Sequence, residues 1–363
     1  MLYESHSEEK RGGKEHFMQL EGTKEWSRMK SAFLMSICMF VPPCTLHFKG
    51  MEPDEVCLSD VHVYADINVD IPQSDNEYKV TRTIFVYDDP KAITHCTEHN
   101  EEEENTDEQI ETDEDGDLIL SRKDTKTEYS IVIEHAMATR LRDVGLQVWS
   151  GALLLCDYIL HHRQAFSDCC ALELGGGVGL VSIVMAKVAQ HIFCTDIGEN
   201  VLTTCEHNVE LNKVNEMGQE SGVAIRELDW SKGNLLQDSS KFSWSTSDVK
   251  HLNEKTTVML AADVIYDNSL TDALFNTVKR LMSQPPAKTL YIAVEKRLNF
   301  TLTDLEVACP AYTHFIQQVA ALTQETSGVR YTSEAIPIDF PQYFHYTRTK
   351  YLELWKIQAE FVS

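Results

Sequence analysis

Residues Ala171–Ala186 read "ALELGGGVGLVSIVMA": a short apolar run carrying one Glu, four glycines within five positions, then apolar residues at helical spacing. A strand that ends in glycines and opens a helix presents unpaired backbone N–H groups and the positive helix end to an anionic ligand group. Glycine also lets a ligand approach the backbone closely, so the turn predicts a nucleotide-type site. A Walker phosphate loop is excluded, because Gly179 is followed by Leu180 and Val181 rather than by Lys and Ser or Thr. The dinucleotide pattern G-x-G-x-x-G, counted from Gly175, would place its third glycine where Leu180 stands. Glu173, immediately before the turn, sets a carboxylate where a pyrophosphate would be repelled.

The next strand-like run ends in "FCTD" at Asp196, where an acid can accept hydrogen bonds from both hydroxyls of a ribose. Sites for NAD and for S-adenosylmethionine share that feature, and these residues alone leave both open. Taken singly, Asp196 is equally an ordinary strand-end cap.

Working outward, strands are predicted at Cys169–Leu174, His191–Asp196, Val223–Asp229, Val258–Ala262 and Thr289–Val294, with helical patterns at Gly179–Ala189, Asn200–Asn212 and Leu270–Met282. An amphipathic helix is predicted over Gly145–His161, after a strand at Tyr129–His135. Short apolar strands alternating with helices predict an α/β fold with a mostly parallel sheet covered on both faces. At the end of the chain, Arg330–Pro337 and Tyr351–Glu360 read as two strands joined by a loop and therefore antiparallel. Two more strand-like runs, Val61–Val69 and Thr81–Tyr87, precede the domain; the alternatives for them are pairing with each other, lying against the domain, or staying loosely ordered.

With 363 residues and 43% hydrophobic content, the chain can bury a sizeable core. Its net charge is −25, and Glu98–Asp117 holds twelve acids with no Lys or Arg. Such a run repels itself and has little to bury, so it reads as a solvated, disordered linker. The charge also excludes nonspecific nucleic-acid binding, which needs a basic surface. Ten cysteines show no C-x-x-C pair, and most lie in apolar runs as small hydrophobes, which predicts a reducing compartment and no metal. The apolar part of Ser31–Phe48 is too short to span a bilayer and is broken by Pro42-Pro43, so no membrane association is expected. The expected organisation is an extension of low order over 1–50, a short strand-forming segment over 51–97, the acidic linker over 98–125 and one catalytic domain over 126–363.

"LELGGGVGL", "CTD", "ELDW" (Glu227–Trp230) and "AADVIYD" (Ala261–Asp267), with "VGLQVWSGALLLCDYI" upstream, resemble at consistent spacing the seven-β-strand methyltransferases of family 16, which include the D-x-x-Y protein lysine methyltransferases. The resemblance implies a Rossmann-like class I sheet of seven strands with an antiparallel C-terminal hairpin, and S-adenosylmethionine as methyl donor. Position by position, it places Gly175, Gly176 and Gly177 against the methionyl part, with Glu173 counted among the cofactor positions. Asp196 would hold the ribose, Asp229 and Trp230 would contact the adenine, and Trp149 would wall the site. Ala262 and Asp263 would lie near the sulfonium with Tyr266 beside them, the last two orienting the lysine amine. Each has a plainer reading: Trp149 and Trp230 as core, Tyr266 as cover for the sheet edge.

Methyl transfer to an amine is an in-line displacement that needs alignment and exclusion of water, with no metal or activated nucleophile. The expected substrate is a lysine of a non-histone, basic and nucleic-acid-associated protein, with chaperones as further partners, acted on by a monomeric enzyme of nucleus or cytoplasm. Base methylation is a second reading, disfavoured because "ADVIYD" stands where amino-group methylases carry Asn/Asp/Ser-Pro-Pro-aromatic. A non-catalytic module recruiting basic proteins is a third.

Overall fold

The computed structural model describes residues 56–60, 78–88, 128–214, 222–233, 235, 240–297, 299–301, 306–325 and 328–362. The expectations for Val61–Val69, Ser31–Phe48 and the acidic run lie outside the described residues. The chain divides into two units. One comprises 1–49 and Arg297–Ala308; its described part is the antiparallel pair Asn299–Thr301 and Glu306–Ala308. The other, Gly50–Lys296 with Cys309–Ser363, holds everything that follows.

This larger unit is built on a seven-stranded sheet. In chain order its strands are β5 (Cys170–Leu174), β6 (His191–Asp196), β7 (Gly222–Glu227), β8 (Thr256–Ala262), β9 (Thr289–Glu295), β12 (Val329–Ile336) and β13 (Leu352–Phe361); the pair in the smaller unit is β10 and β11. The spatial order is β12-β13-β9-β8-β5-β6-β7. β5 to β9 run parallel, whereas β13 is antiparallel to both β9 and β12. This is the expected fold, including the antiparallel C-terminal pair.

Alternate residues of the strands feed two cores, as the period-two geometry of a strand requires. Ala171, Ile192 and Leu260 point into one cluster with α1 (Ser150–His161), α2 (Leu180–Met185) and α3 (Glu199–Leu211). Leu172, Phe193 and Met259 point into the other, with α4 (Thr246–Lys255), α5 (Asn268–Met282) and α6 (Pro310–Thr323). Both faces of the sheet are therefore covered by helices.

From β5 the chain moves outward through β6 and β7, and then returns so that β8 lies on the other side of β5. The order reverses between β5 and β8, and in open α/β sheets the crevice beyond the strand ends at that point receives ligands. The glycine turn follows β5 and Asp263 follows β8, so both stand at this crevice.

The sequence departs from expectation at α1. In place of one helix over Gly145–His161, a 3-10 turn covers Leu141–Leu146, the backbone extends through Gln147 and Trp149, and the α-helix begins at Ser150. The Gln147 amide explains the break: Nε2 donates to the Cys57 carbonyl (3.1 Å) and to Thr139 Oγ1 (2.6 Å), which draws the backbone toward a neighbouring strand pair. That pair is β1 (Val56–Leu58) with β4 (Ala138–Arg140). Thr81–Tyr87 does form a strand, β2 (Val80–Asp88), and its partner is β3 (Glu128–Ala136). Asn208 and Asn212, one turn apart on α3, bond the free edge of β3: their side-chain oxygens accept the N–H groups of Glu134 (2.8 Å) and Val132 (2.9 Å). The interval Ser231–Lys255 contains α4, started by a capping box between Ser245 and Asp248.

Candidate active site

All eleven residues singled out from the sequence line one cleft at the switch point, a space of about 1040 Å³ including its open mouth. The glycine turn forms its floor. Gly177 has φ of 53°, a left-handed conformation, and a Cβ there would stand 2.8 Å from the Gly145 carbonyl oxygen. A Cβ on Gly176 would stand 2.4 Å from Cys194 Sγ. The turn thus packs tightly on β6 beneath it and on the 3-10 turn beside it. Gly175 adjoins Val264 and Trp230, so the start of the turn touches the loops after β8 and β7.

Asp196, half-buried at the end of β6, accepts the Gly177 N–H on Oδ2 (2.8 Å) and the Ile197 N–H on Oδ1 (2.7 Å). Burial raises its pKa, and those two backbone bonds oppose the rise. Each oxygen keeps a lone pair for a further donor. Glu173 is fully enclosed and receives the Ser182 hydroxyl; burial pushes its carboxyl up to about 7, with Asp196 adding to the rise. Its contacts are with the protein beneath the turn, where it ties β5 to α2. Asp229 faces its own loop, accepting the Ser231 N–H (2.9 Å) and hydroxyl (2.6 Å), and the hydroxyl bond lowers its pKa. Trp230 is half-buried against Gly175.

The opposite wall is the segment entering α1. Trp149 is the N-cap residue of that helix, has no side-chain capping bond, and turns its indole N–H to the Val144 carbonyl (3.1 Å). The first N–H groups of α1 are served from a distance. Ser150 N–H reaches Asp60 Oδ2 (2.9 Å), and Gly151 N–H reaches Asp263 Oδ2 (2.6 Å). Two carboxylates therefore stand at one helix N-terminus, where the helix dipole favours negative charge.

Asp263 has φ of 53°, which for a residue with a side chain costs on the order of 1 kcal/mol. Among the bonds that hold it there are its N–H to the Ala293 carbonyl (2.9 Å), the Gly151 N–H to Oδ2 and the Glu295 N–H to Oδ1 (3.1 Å). Ala262, just before it, shares the cleft. Tyr266 is 40% exposed at the mouth, yet the protein packed around its hydroxyl raises the pKa to about 12, with the charges of Asp196 and Asp267 adding. The hydroxyl is a neutral donor and acceptor at any working pH.

Three residues of this arrangement escape sequence reasoning. Gly145 and Gly151 lie in a run that reads as helix, and their role appears only when the glycine turn and Asp263 pack against them. Asp60 lies 90 positions from its partner Ser150, in a stretch, "LSDVHVY", whose family resemblance is weak and gives no sign of this contact.

The donor set fits S-adenosylmethionine. Asp196 offers acceptors for a ribose diol, Trp230, Leu228 and Ile197 offer apolar surface for a base, and the glycine turn leaves room for the amino-acid part. A sequence profile described as lysine methyltransferase matches residues 126–319. The chain is 47% identical over 251 residues to methyltransferase-like protein 22 of Mus musculus, covering 68% of this chain and 64% of that protein. It is 45% identical over 251 residues to the Homo sapiens protein of the same name, covering 68% and 62%. It is also 28% identical over 167 residues to protein-lysine N-methyltransferase EFM3 of Chaetomium thermophilum, covering 46% of each. The chain spans somewhat under two thirds of the length of the mouse and human relatives. Matched by that profile over more than half its length, this chain belongs to the lysine methyltransferase family.

Proposed function

We propose that the protein transfers a methyl group from S-adenosylmethionine to the side-chain amine of a lysine in a basic, non-histone protein. The observation that carries this reading is the placement of Asp263 and Tyr266 beside the glycine turn, at the end of β8 and on one cleft. The relative named a protein-lysine N-methyltransferase supports a protein lysine as acceptor.

When bound, the cofactor supplies an electrophilic methyl group on a sulfonium. The chain's own residues align and shield. The glycine turn and Trp149 close the cleft from two sides, and Asp196 fixes the sugar. A lysine amine must arrive uncharged, so its proton leaves to water before the cleft closes. Asp263, anchored by backbone bonds through both oxygens, stands where its carboxylate can accept an N–H of the amine and turn the amine lone pair toward the methyl. The Tyr266 hydroxyl, neutral at working pH, gives a second hydrogen-bonding point at the mouth. The net charge of −25 draws a basic segment toward the site.

The test is incubation of the full chain with labelled S-adenosylmethionine and a hypomethylated cell extract, followed by mass spectrometry of the labelled band. Methyl-lysine on a protein is the expected product. Label in nucleic acid, or none at all with bound cofactor, would overturn the reading.

A further inference from the structure

The wall of the cleft formed by Gln147, Val148 and Trp149 is held by a piece of chain that precedes the matched family region by some length: residues Val56–Asp60, "VCLSD". β1 pairs antiparallel with β4, Val56 opposite Arg140 and Leu58 opposite Ala138. From that stretch, bonds run to three sites at the entry to α1. The Cys57 carbonyl accepts Gln147 Nε2 (3.1 Å), Ser59 Oγ donates to the Val148 carbonyl (2.8 Å), and Asp60 Oδ2 accepts the Ser150 N–H (2.9 Å). Cys57, Ser59 and Asp60 are 5%, 0% and 2% exposed, so these bonds compete with little water.

We propose that Asp60 is a positioning residue for the cofactor: its carboxylate fixes the start of α1, and with it the Trp149 wall and the Gly151 N–H that anchors Asp263. The physical case is one of two adjacent donors. Ser150 and Gly151 are the first two residues of α1, and the orphan N–H groups of a helix start need acceptors. Trp149 supplies none from its side chain. Asp263 takes one donor and Asp60 the other, so loss of Asp60 leaves the Ser150 N–H without its acceptor and loosens the first turn of α1 beside the cleft wall. A charged acceptor at a helix start gives a strong and short bond, which suits a wall that must hold its register against the glycine turn. Gly145, on the same segment, lies so close to that turn that its carbonyl would meet any Cβ on Gly177.

This inference rests on the proposed cofactor, and S-adenosylhomocysteine is the probe that tests it. Calorimetric titration of the full chain compares wild type with Asp60→Ala, Asp60→Asn and Ser150→Pro, at a temperature where near-UV circular dichroism shows each to be folded. Proline is tolerated at the first helical position and deletes the N–H that Asp60 receives, together with the Ser150 hydroxyl. Asp60→Ala is expected to weaken binding about tenfold, while Asp60→Asn, whose amide oxygen still accepts, stays within about threefold. Ser150→Pro is expected to match Asp60→Ala, and the double variant to bind no more weakly than either single one. Should Asp60→Ala fail to fold, Ser150→Pro and Asp60→Asn carry the comparison. Wild-type affinity in folded Asp60→Ala or in Ser150→Pro overturns the role, as does an Asp60→Asn variant as weak as Asp60→Ala. Absence of binding by wild type itself strikes instead at the proposed function.

Discussion

Gly151 donates its N–H to the Asp263 carboxylate at 2.6 Å, and a Cβ on Gly151 would stand 2.6 Å from the same oxygen. Bond and clash share one geometry, so a methyl group at position 151 displaces the carboxylate. Gly151→Ala is expected to lower kcat about a hundredfold, since a misplacement of about 1 Å costs that much in alignment. Steady-state kinetics on the identified substrate check this; unchanged kcat would show that the Asp263 carboxylate does not act on the amine.

Gly177→Ala should abolish S-adenosylhomocysteine binding and destabilise the protein by about 2 kcal/mol. The left-handed φ of 53° and the Gly145 carbonyl 2.8 Å from the new methyl act together. Urea unfolding followed by titration measures both, and full affinity in the variant would contradict the cofactor placement.

Asp196→Asn replaces one acceptor oxygen with an amide that faces the N–H of Gly177 or of Ile197. Affinity for S-adenosylhomocysteine is expected to fall about tenfold or more, because a ribose acceptor is lost and two donors are opposed. Calorimetry reads the change.

Tyr266→Phe should lower kcat about tenfold while leaving S-adenosylhomocysteine affinity within about twofold. The hydroxyl, with its pKa raised to about 12, stays protonated across the assay range, so the variant is expected to keep the shape of the wild-type pH–rate profile. A shifted alkaline limb would show that Tyr266 titrates in the reaction.

Glu173 makes a stability prediction. Burial pushes its carboxyl up to about 7, whereas an unfolded glutamate releases its proton near an ordinary value of about 4.3. Between those values the folded chain holds a proton that the unfolded chain has lost, so stability is greatest below the lower value and declines as pH rises. The decline amounts to about 3 kcal/mol by pH 8, and Glu173→Gln should remove it. Denaturant unfolding at pH 5 and pH 8 tests this: an equal pH dependence in the two proteins would place the ionised carboxylate comfortably in the fold.

The strands of the sheet are legible because each buried strand is a short β-branched or apolar run bounded by turn residues, and the cleft because its residues lie at the ends of such strands; the order β12-β13-β9-β8-β5-β6-β7 is not written in any local pattern. Helix α4 was missed although "STSD" at Ser245–Asp248 carries a capping box; the polar surroundings masked it. α6 was missed as well, though Pro310 stands in its first turn. The start of α1 was misplaced for another reason. Gly145 to Trp149 has the periodicity of a helix, but the Gln147 amide is bonded to Cys57 and Thr139, partners no local pattern reveals. Asp60 belongs to the same class: its meaning lies in a contact across 90 residues.

The pairing of β2 with β3 changes what the acidic stretch is to the molecule. Asp88 and Glu128 are opposite one another in the ladder, so the two ends of residues 89–127 are held side by side. The cost of closing a loop grows only slowly with its length, so this pairing sets little limit on how much sequence lies between the two strands. On the N-terminal side of that interval the chain is held by the β1 and β2 ladders and by the buried bonds of Ser59 and Asp60. The stretch before the interval thus completes the wall of a cleft that the stretch after it builds.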